Sequence, residues 1–364
     1  MPDQITNYQC PACGGPLHFD SELQKLKCDY CGSTFTNAEI EELYSDANEA
    51  AAVQGTALQE SNDTLQWTPE EAAHMRAYSC PSCGAQLICD EHTAATSCPY
   101  CGNPTVVPAQ FTGALRPDFI IPFKLNKDQA VKKLKDYYGG KPLLPNAFKA
   151  NNHIEEIKGV YVPFWLYDGR AAVDMNFHGT RVNTMHHGDD IITITSHYNI
   201  GRSGSVAFNM VPADASSKMP DELMDAIEPY DYSAMKPFEM SYLPGYLADK
   251  YDVSAEEDEE RVDVRMTNSA VEIIQRSVQG YSSVTPQSQR VNIIPDRVHY
   301  AFLPVWLLST RWNNQNYLFA MNGQTGKMVG DLPVDNGKFF LYFIGITLIL
   351  AAILFFILFI AMGG

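Results

Sequence analysis

The sequence predicts a multidomain α+β protein with two N-terminal zinc ribbons, a β-rich duplicated α+β body and one C-terminal transmembrane helix. Three observations lead to this prediction: cysteines occur in C-x-x-C pairs, a segment with proline and tryptophan recurs in the body, and the chain ends in a long apolar run. Its 364 residues suffice for two to three domains. The predicted units are 1–35 (first ribbon), 36–77 (acidic linker with short helices), 78–110 (second ribbon), 111–230 and 231–337 (two α+β lobes) and 338–364 (membrane anchor).

Eight of the nine cysteines form four C-x-x-C pairs, arranged as two copies of one pattern in which fourteen residues separate the pairs. Two residues between paired cysteines let one tight turn direct both sulfurs at a single ion, and two such turns complete a tetrahedron. Ribbons this short depend on the metal for their folding energy. We therefore expect two structural Zn²⁺ ions, with an iron centre or redox dithiols as the alternatives. The predicted ligands are Cys10, Cys13, Cys28 and Cys31 in the first ribbon and Cys80, Cys83, Cys98 and Cys101 in the second.

Charge argues against nucleic acid as the partner of the ribbons. Residues 1–110 contain fifteen acidic and three basic residues, and each Zn(Cys)₄ centre adds two negative charges. Binding to nucleic acid requires Lys and Arg to neutralise phosphates. The knuckles resemble the zinc ribbons of TFIIB-type transcription factors and primosomal helicases, a resemblance that is specific for fold and poor for function. Nucleic acid is therefore the less favoured partner.

Other N-terminal elements are predicted from local signals. Thr36–Trp67 has the composition of a solvated acidic linker, in which Ala38–Tyr44 can make a short helix. Thr68–Glu71 has the pattern of a helix start, with a threonine cap and a following proline, and predicts a helix to about Arg76. Cys89, the ninth cysteine, is predicted to be an apolar strand residue.

In the body, capping patterns predict two longer helices. Asn126, followed three residues later by Gln129, caps a helix over about Lys127–Tyr138. Ser254 and Glu257 form the same pattern at the start of a second helix.

A fainter repeat predicts that the body consists of two related lobes. Ile120–Leu125, before the first helix, and Tyr161–Leu166, a predicted buried strand, form the first copy. The second copy is Met235–Phe238, a helical stretch near Tyr246–Tyr251, and Phe302–Leu307. Duplication is the economical explanation of this order.

Alternating apolar and polar residues over Ala171–Met210 predict an antiparallel meander with residues 186–190 at a hairpin tip. Several histidines and aspartates in this region offer a metal site as an alternative. A polar hairpin is the favoured interpretation, because imidazole ligands need a convergent geometry that the sequence does not show. The residues of this alternative site are His178, His186, His187, His197, Asp189 and Asp190.

Gly323–Lys327 looks like part of a phosphate-binding loop. The full pattern requires a glycine where Met321 stands and a serine or threonine where Met328 stands. The segment is better interpreted as a turn. Since we also find no nucleophile and base, or paired carboxylates, in a recognisable arrangement, we expect no enzyme activity and predict no catalytic or cofactor-binding residues.

The apolar run Phe339–Met362 contains 24 residues without a charge. At about 1.5 Å per residue it forms roughly 36 Å of helix, enough to cross a bilayer core about 30 Å thick. The alternative, a buried helix of a soluble protein, is disfavoured because the run is apolar on every face. Asp331, Asp335 and Lys338 are too mixed in charge to set the orientation, whereas eight reduced thiols favour the cytosol. We therefore expect a single-pass, tail-anchored protein of the cell membrane whose bulk lies in the cytoplasm.

The predicted twin ribbons and C-terminal anchor occur together with three short motifs in the body. These motifs are Y-V-P-F-W-L-Y at 161–167, L-P-V-W-L-L at 303–308 and M-N-G-Q-T-G-K at 321–327. In this combination the chain resembles the tail-anchored zinc-ribbon proteins of Firmicutes of the YdjG type. The resemblance implies a membrane partner for cytosolic envelope-stress proteins of the phage-shock A type or of the SPFH or virion-core type. We therefore expect an adaptor that contacts the bilayer through 339–362 and whose ribbons recruit a cytosolic protein to the inner face of the cell membrane. The alternative is a membrane-tethered nucleic-acid-binding factor related to replication or transcription zinc ribbons.

Overall fold

The computed structural model of the chain describes most of the body and parts of the N-terminal region. The described residues are 10–12, 17–28, 31–36, 39–40, 67–90, 93, 95, 97–103, 107–109, 115–151, 156–187, 190–313 and 315–361. The short helix predicted over Ala38–Tyr44 lies outside them except at Glu39 and Ile40, and so does Cys13.

The cysteine-bearing segments form short antiparallel ladders that belong to two different sheets. The first three strands form a separate three-stranded sheet, whereas the next three belong to the large sheet of the body. Leu17 and Phe19 alternate inward on the first strand and bury their side chains with Leu26 of the second. The elements are β1 (Leu17–Asp20), β2 (Lys25–Cys28), β3 (Thr34–Phe35), α1 (Pro69–Ala73), β4 (Met75–Ser79), β5 (Gln86–Asp90) and β6 (Val107–Ala109).

The body is one mixed sheet with helices packed on it. Its elements are β7 (Phe119–Ile120), α2 (Lys127–Gly139), α3 (Asn146–Asn151), β8 (Lys158–His187), β9 (Asp190–Asp214), α4 (Asp221–Ile227), β10 (Lys236–Pro237), β11 (Leu247–Asp249), α5 (Ala255–Arg276), β12 (Ser283–Trp312), β13 (Gln315–Asn322), β14 (Met328–Gly330) and α6 (Asn336–Ala361). The described part of the sheet has eleven strands in the order β10-β7-β12-β8-β11-β5-β4-β6, with β9 beside β8, β13 beside β12 and β14 beside β13.

Two 30-residue strands, β8 and β12, form the centre of the sheet and pair antiparallel. Residues 160–167 are buried without interruption, as expected for a strand covered on both faces, so the predicted buried strand over Tyr161–Leu166 is confirmed. Beyond this centre, α5 covers one face of the β9-β8-β12 part. Its Val262, Met266 and Ala270 are buried against that part of the sheet.

Both cysteine-bearing segments are attached to the body. β5 pairs with β11, and the N–H of Lys250 donates to the carbonyl of Gln86 at 3.0 Å. On the first segment, the Gln24 side chain donates to the carbonyl of Phe123 at 2.7 Å, and the ring of Phe19 lies 5.3 Å from that of Tyr242. Both cysteine-bearing segments therefore contribute to the core of the body, whereas the domain boundaries given above stay a prediction.

The order strand, capped helix, long strand and hairpin strand occurs twice in the body. The first set is β7, α2, β8 and β9, and the second is β11, α5, β12 and β13. The short strand of each set lies parallel beside the long strand of the other: β7 beside β12 and β11 beside β8. The two sets are thus exchanged across the antiparallel centre.

Two tryptophans make matching contacts across this centre. Trp165 of β8 donates its indole N–H to the carbonyl of Val253 at 2.9 Å, just before the cap of α5. Trp306 of β12 donates to the carbonyl of Leu125 at 3.1 Å, just before the cap of α2. Each long strand therefore holds the helix start of the other set, and the duplication stays a prediction.

The predicted helix starts are confirmed, whereas one predicted helix end is wrong. Capping boxes form at Thr68, Asn126 and Ser254, as predicted. The helix predicted to reach about Arg76 ends at Ala73 instead, because the following residues pair with β5 and β6.

The helical stretch predicted near Tyr246–Tyr251 is wrong. Leu247–Asp249 is a strand, β11, whose residues are buried. It pairs on one side with β5 and on the other with β8. Backbone partners on both sides stabilise an extended conformation that the local pattern does not reveal.

The apolar C-terminal segment is one helix, α6, and over Asn336–Leu358 it is long and apolar enough to cross a membrane. Its large apolar side chains from Phe339 to Leu358 are exposed. The body holds its first turn: the N–H of Asp335 donates to the carbonyl of Leu143 at 2.9 Å, and the Lys338 ammonium donates to the carbonyl of Leu144 at 2.7 Å.

Candidate metal centres

The second cysteine cluster brings four sulfurs together. The sulfurs of Cys80, Cys83, Cys98 and Cys101 lie within 4.8 Å of one another. Cys80 and Cys101 have their Sγ atoms 3.6 Å apart, and so do Cys83 and Cys98. A tetrahedral ion with sulfur ligands at about 2.3 Å requires separations of about 3.8 Å. The four thiols therefore fit one tetrahedral metal ion.

Tight turns aim these sulfurs. At the first turn, the N–H of Gly84 donates to the carbonyl of Cys80 at 2.9 Å, and the N–H of Cys80 donates to Ala85 at 2.9 Å. The turn at Cys98 has the equivalent bond from Gly102 at 3.0 Å. The two glycines have φ of +73° and +70°, a left-handed backbone in which other residues are strained.

The first cluster has the same construction in its described part. Cys10, Cys28 and Cys31 have their sulfurs within 4.8 Å of one another, and the Sγ atoms of Cys10 and Cys31 are 3.5 Å apart. Gly32 has φ of +74° and its N–H donates to the carbonyl of Cys28 at 2.9 Å. The predicted fourth ligand, Cys13, lies outside the described residues. Both clusters can bind a metal ion.

Electrostatics at the second cluster depends on burial and on nearby donors. Burial raises the pKa of the Cys98 and Cys83 thiols. Burial also acts to raise the pKa of Cys80. Hydrogen bonds from backbone N–H groups, chiefly that of Cys83, nevertheless lower this pKa to about 7. The hydrogen bond to Asp252 raises the pKa of Lys218, and the charges of Asp252, Asp249 and, least, Cys83 act in the same direction. A cation thus stands beside a site whose thiolates, once bound to a divalent ion, keep a net negative charge.

Cys89 lies in the same segment and is not a member of the cluster. It is fully buried on β5, and its sulfur donates to the carbonyl of Thr93 at 2.9 Å. Burial raises the pKa of its thiol to about 12, so it remains protonated at neutral pH. The prediction that Cys89 is a strand residue is confirmed.

The described histidines do not converge on a common point. His178 and His197 form a hydrogen bond between ring nitrogens 3.1 Å apart. His186 is eight residues further along β8, about 26 Å away in an extended strand. Residue 189 and the side chain of His187 lie outside the described part of the chain. Within that part, the groups that can hold a metal are the two cysteine clusters.

Gly323–Lys327 forms a turn, as predicted. The N–H of Asn322 donates to the carbonyl of Lys327 at 2.9 Å. The fully buried Asn322 side chain accepts the N–H groups of Gln324 and Thr325, each at 2.9 Å. Because these N–H groups are bound to Asn322, they are not available to cradle a phosphate.

A projecting hairpin carries apolar residues of the segment in which the sequence predicted an antiparallel meander. β12 stops pairing with β8 at Ser283, opposite Thr180. Beyond that point β8 and β9 continue as a two-stranded hairpin to the pair His187 and Asp190, which confirms the predicted tip. Its exposed apolar residues are Val182, Met185, Ile191, Ile192 and Ile194. Sequence alternation alone could not show that neither face is covered.

Comparison with known proteins identifies a relative of nearly equal extent. YdjG of Bacillus subtilis (strain 168) is 34% identical over 343 residues, which is 94% of each chain. The chain belongs to the YdjG family. No protein-family model matches it, and no solved structure matches it. Because YdjG is itself described as an uncharacterized protein, membership of this family carries no activity, partner or metal with it.

Proposed function

We propose that the chain is a membrane-anchored adaptor, not an enzyme, that recruits a cytosolic protein to the inner face of the cell membrane. One observation carries this proposal: exposed apolar elements occur at opposite ends of the long central strand. The hairpin projects beyond the Ser283 end of β12. At the other end, the ring of Trp312 lies 5.6 Å from that of Phe148 in α3, and Asn146 of the same helix accepts from Lys338 of α6 at 2.9 Å.

Two structural Zn²⁺ ions are the metals we assign to the clusters. Four thiolates in a closed tetrahedral set suit Zn²⁺ and leave no open position for chemistry. All four ligands of the second cluster and three of the first are in place among the described residues. Thiols that hold zinc must stay reduced, which favours the cytoplasm for the body and the membrane for α6.

The projecting hairpin is the docking surface that best suits an adaptor. Met185 and Ile192 pair directly across the strands, with Ile194 next to them on the same face. Ile191, 65% exposed, lies on the opposite face. A two-stranded hairpin in water is only marginally stable on its own, so a partner that covers these faces would also stabilise it. The ribbons are less suited, because both are attached to the body.

The test removes exposed apolar side chains at three places in the full chain, with the same number of changes in the hairpin variant and in its control. Membranes are solubilised gently, and proteins that copurify are quantified together with their distribution between membrane and cytosol. The hairpin variant is Met185→Ser, Ile192→Ser, Ile194→Ser. Its control changes three exposed residues of α5 and β12 and is Ile273→Ser, Ile294→Ser, Val298→Ser. The ribbon variant is Leu23→Ser.

We expect a defined soluble protein to move to the cytosol in the hairpin variant alone, while the chain itself stays in the membrane. The resemblance stated above points to a phage-shock A-like or SPFH-like partner. Release by Leu23→Ser would place docking on the ribbons instead. An unchanged distribution in every variant contradicts the adaptor proposal, and salt-dependent retention of DNA or RNA would favour the nucleic-acid alternative.

A further inference from the structure

The segment 127–149, which contains α2 and most of α3, differs in charge from the rest of the chain. It contains six lysines and two aspartates, a net charge of +4, whereas the other residues include 20 basic and 41 acidic ones. Lys132, Lys133, Lys135 and Lys141 are all exposed. A local excess of positive charge on so acidic a chain marks this surface for an anionic partner.

This lysine surface lies where the apolar helix begins. The Lys338 ammonium donates to the carbonyl of Leu144 at 2.7 Å, and Phe339 is the next residue. The N–H of Leu144 in turn donates to the carbonyl of Lys141 at 3.3 Å. Lys141 is thus linked through Leu144 and Lys338 to Phe339, the first residue of the apolar run. This places Lys141 at the boundary between polar and apolar surface.

Packing of the opposite face leaves the α2 lysines exposed, and the stem of Lys133 lies against the turn at Gly326. Ala130, Leu134 and Tyr138 are buried and fix the inner face of the helix. The Tyr137 hydroxyl donates to the carbonyl of Gly330 at 3.2 Å, which ties the last turn of α2 to the strand before the anchor. Lys132, Lys133 and Lys135 lie within about two helical turns, or 11 Å, of the end of α2.

Acidic groups near this surface are fewer than the six lysines of 127–149 together with Lys338. Asp128 and Asp136 lie on α2, Glu22 accepts hydrogen bonds from Asn126 and Gln129 at the start of α2, and Asp331 lies near Tyr137. Asp335 accepts the N–H of Lys338 at 3.1 Å and so caps the start of α6. The surface therefore keeps an excess of positive charge beside the start of α6.

We propose that Lys132, Lys133, Lys135 and Lys141 bind the phosphate groups of anionic lipids in the leaflet that α6 enters. The inference rests on the proposed membrane insertion of α6. Each lysine near an anionic membrane surface adds about fivefold to binding. Where one leaflet is richer in anionic lipid, the same contact would favour that side for the body.

The first test measures lysine reactivity in the full chain. The protein is placed in nanodiscs of phosphatidylcholine, with or without phosphatidylglycerol, and each lysine's rate of acetylation is followed by mass spectrometry. We expect the four lysines to react several-fold more slowly when phosphatidylglycerol is present. The difference should disappear in high salt, where the screening length falls to about 3 Å. Lys218 and Lys250, which lie beside the second cysteine cluster, serve as internal references.

A second test counts the phosphatidylglycerol that copurifies with the chain from mixed-lipid membranes. Changing the four lysines to glutamine should lower the enrichment at least about fivefold, the contribution of one lysine. A control with the same change in total charge should keep it. This control is Arg170→Gln, Arg276→Gln, Arg290→Gln, Arg297→Gln, which changes exposed residues of β8, α5 and β12.

The two proposals fail in different ways. If alkaline carbonate extracts the full chain from phosphatidylcholine vesicles, the membrane anchor itself is refuted. If the chain resists extraction but the four lysines react equally in both kinds of disc, the anchor stands and the lipid contact is overturned. Equal enrichment in the lysine variant and its control has the same consequence.

Discussion

Replacing Cys98 by serine removes one of four sulfurs from the second cluster with little change in side-chain size. Structural zinc supplies about 10–16 kcal/mol in small zinc-finger peptides, which is comparable with the whole folding free energy of a domain, about 5–15 kcal/mol. Here the cluster holds β5 in position to pair with β11 of the large sheet. We therefore expect Cys98→Ser to lose one bound metal per chain and to lower the free energy of unfolding by several kcal/mol.

Metal analysis of the purified protein and thermal unfolding in detergent test this expectation. Cys89→Ser is the matched control, because Cys89 is equally buried in the same segment and its donor bond to Thr93 is available to a serine hydroxyl. It should keep both metals and cost about 1 kcal/mol. If Cys98→Ser retains both metals, or if both variants lose metal equally, the cluster is not the metal site.

Other predictions concern the body. Trp165→Phe or Trp306→Phe should each lower the free energy of unfolding by about 1–3 kcal/mol, because a backbone carbonyl beside a helix cap loses its donor; a loss at only one position in urea titrations would refute their equivalent roles. Gly323→Ala should cost about 1–3 kcal/mol, because the new Cβ would lie 2.7 Å from a buried aromatic ring. A new Cβ at Gly139 would have no atom within 4 Å, so Gly139→Ala should change stability by less than about 0.5 kcal/mol. Equal effects of the two substitutions would show that the structure relieves the clash at Gly323. Burial raises the pKa of Asp214 to about 7, although the neighbouring Arg261 guanidinium acts to lower it. Its contribution to stability is therefore largest below its unfolded pKa and is lost as the pH rises to about 7. In Asp214→Asn the urea concentration at the midpoint of unfolding should fall less as the pH rises. An unchanged pH profile would contradict the raised pKa of Asp214.

Much of the local structure and of the candidate metal site is predictable from sequence. The capping boxes at Thr68, Asn126 and Ser254 join a side chain to a backbone group three residues away, so a short pattern contains the whole interaction. The same holds for the cysteine turns, where spacing and a following glycine determine the direction of the sulfurs. A run of apolar residues likewise shows a membrane-length helix.

Contacts between distant segments decided the rest. Leu247–Asp249 is a strand because β5 and β8, far apart in sequence, supply its backbone partners. The histidines of the hairpin are close in sequence yet spread along an extended strand, and the apolar residues beside them remain uncovered. Both cysteine segments are attached to the body by pairings and side-chain bonds that no local pattern contains.

The charge beside α6 shows most clearly which features depend on local sequence and which depend on tertiary structure. By itself, the sequence determined that the chain has two sets of paired cysteines, capped helices and an apolar terminal helix, since each depends on residues near one another in the chain. The three charged residues just before that helix are mixed and indicate no orientation. Only the tertiary structure brings the segment Lys141–Leu144, nearly two hundred residues away in sequence, to the start of α6. Electrostatic interaction depends on distance in space, and folding sets that distance.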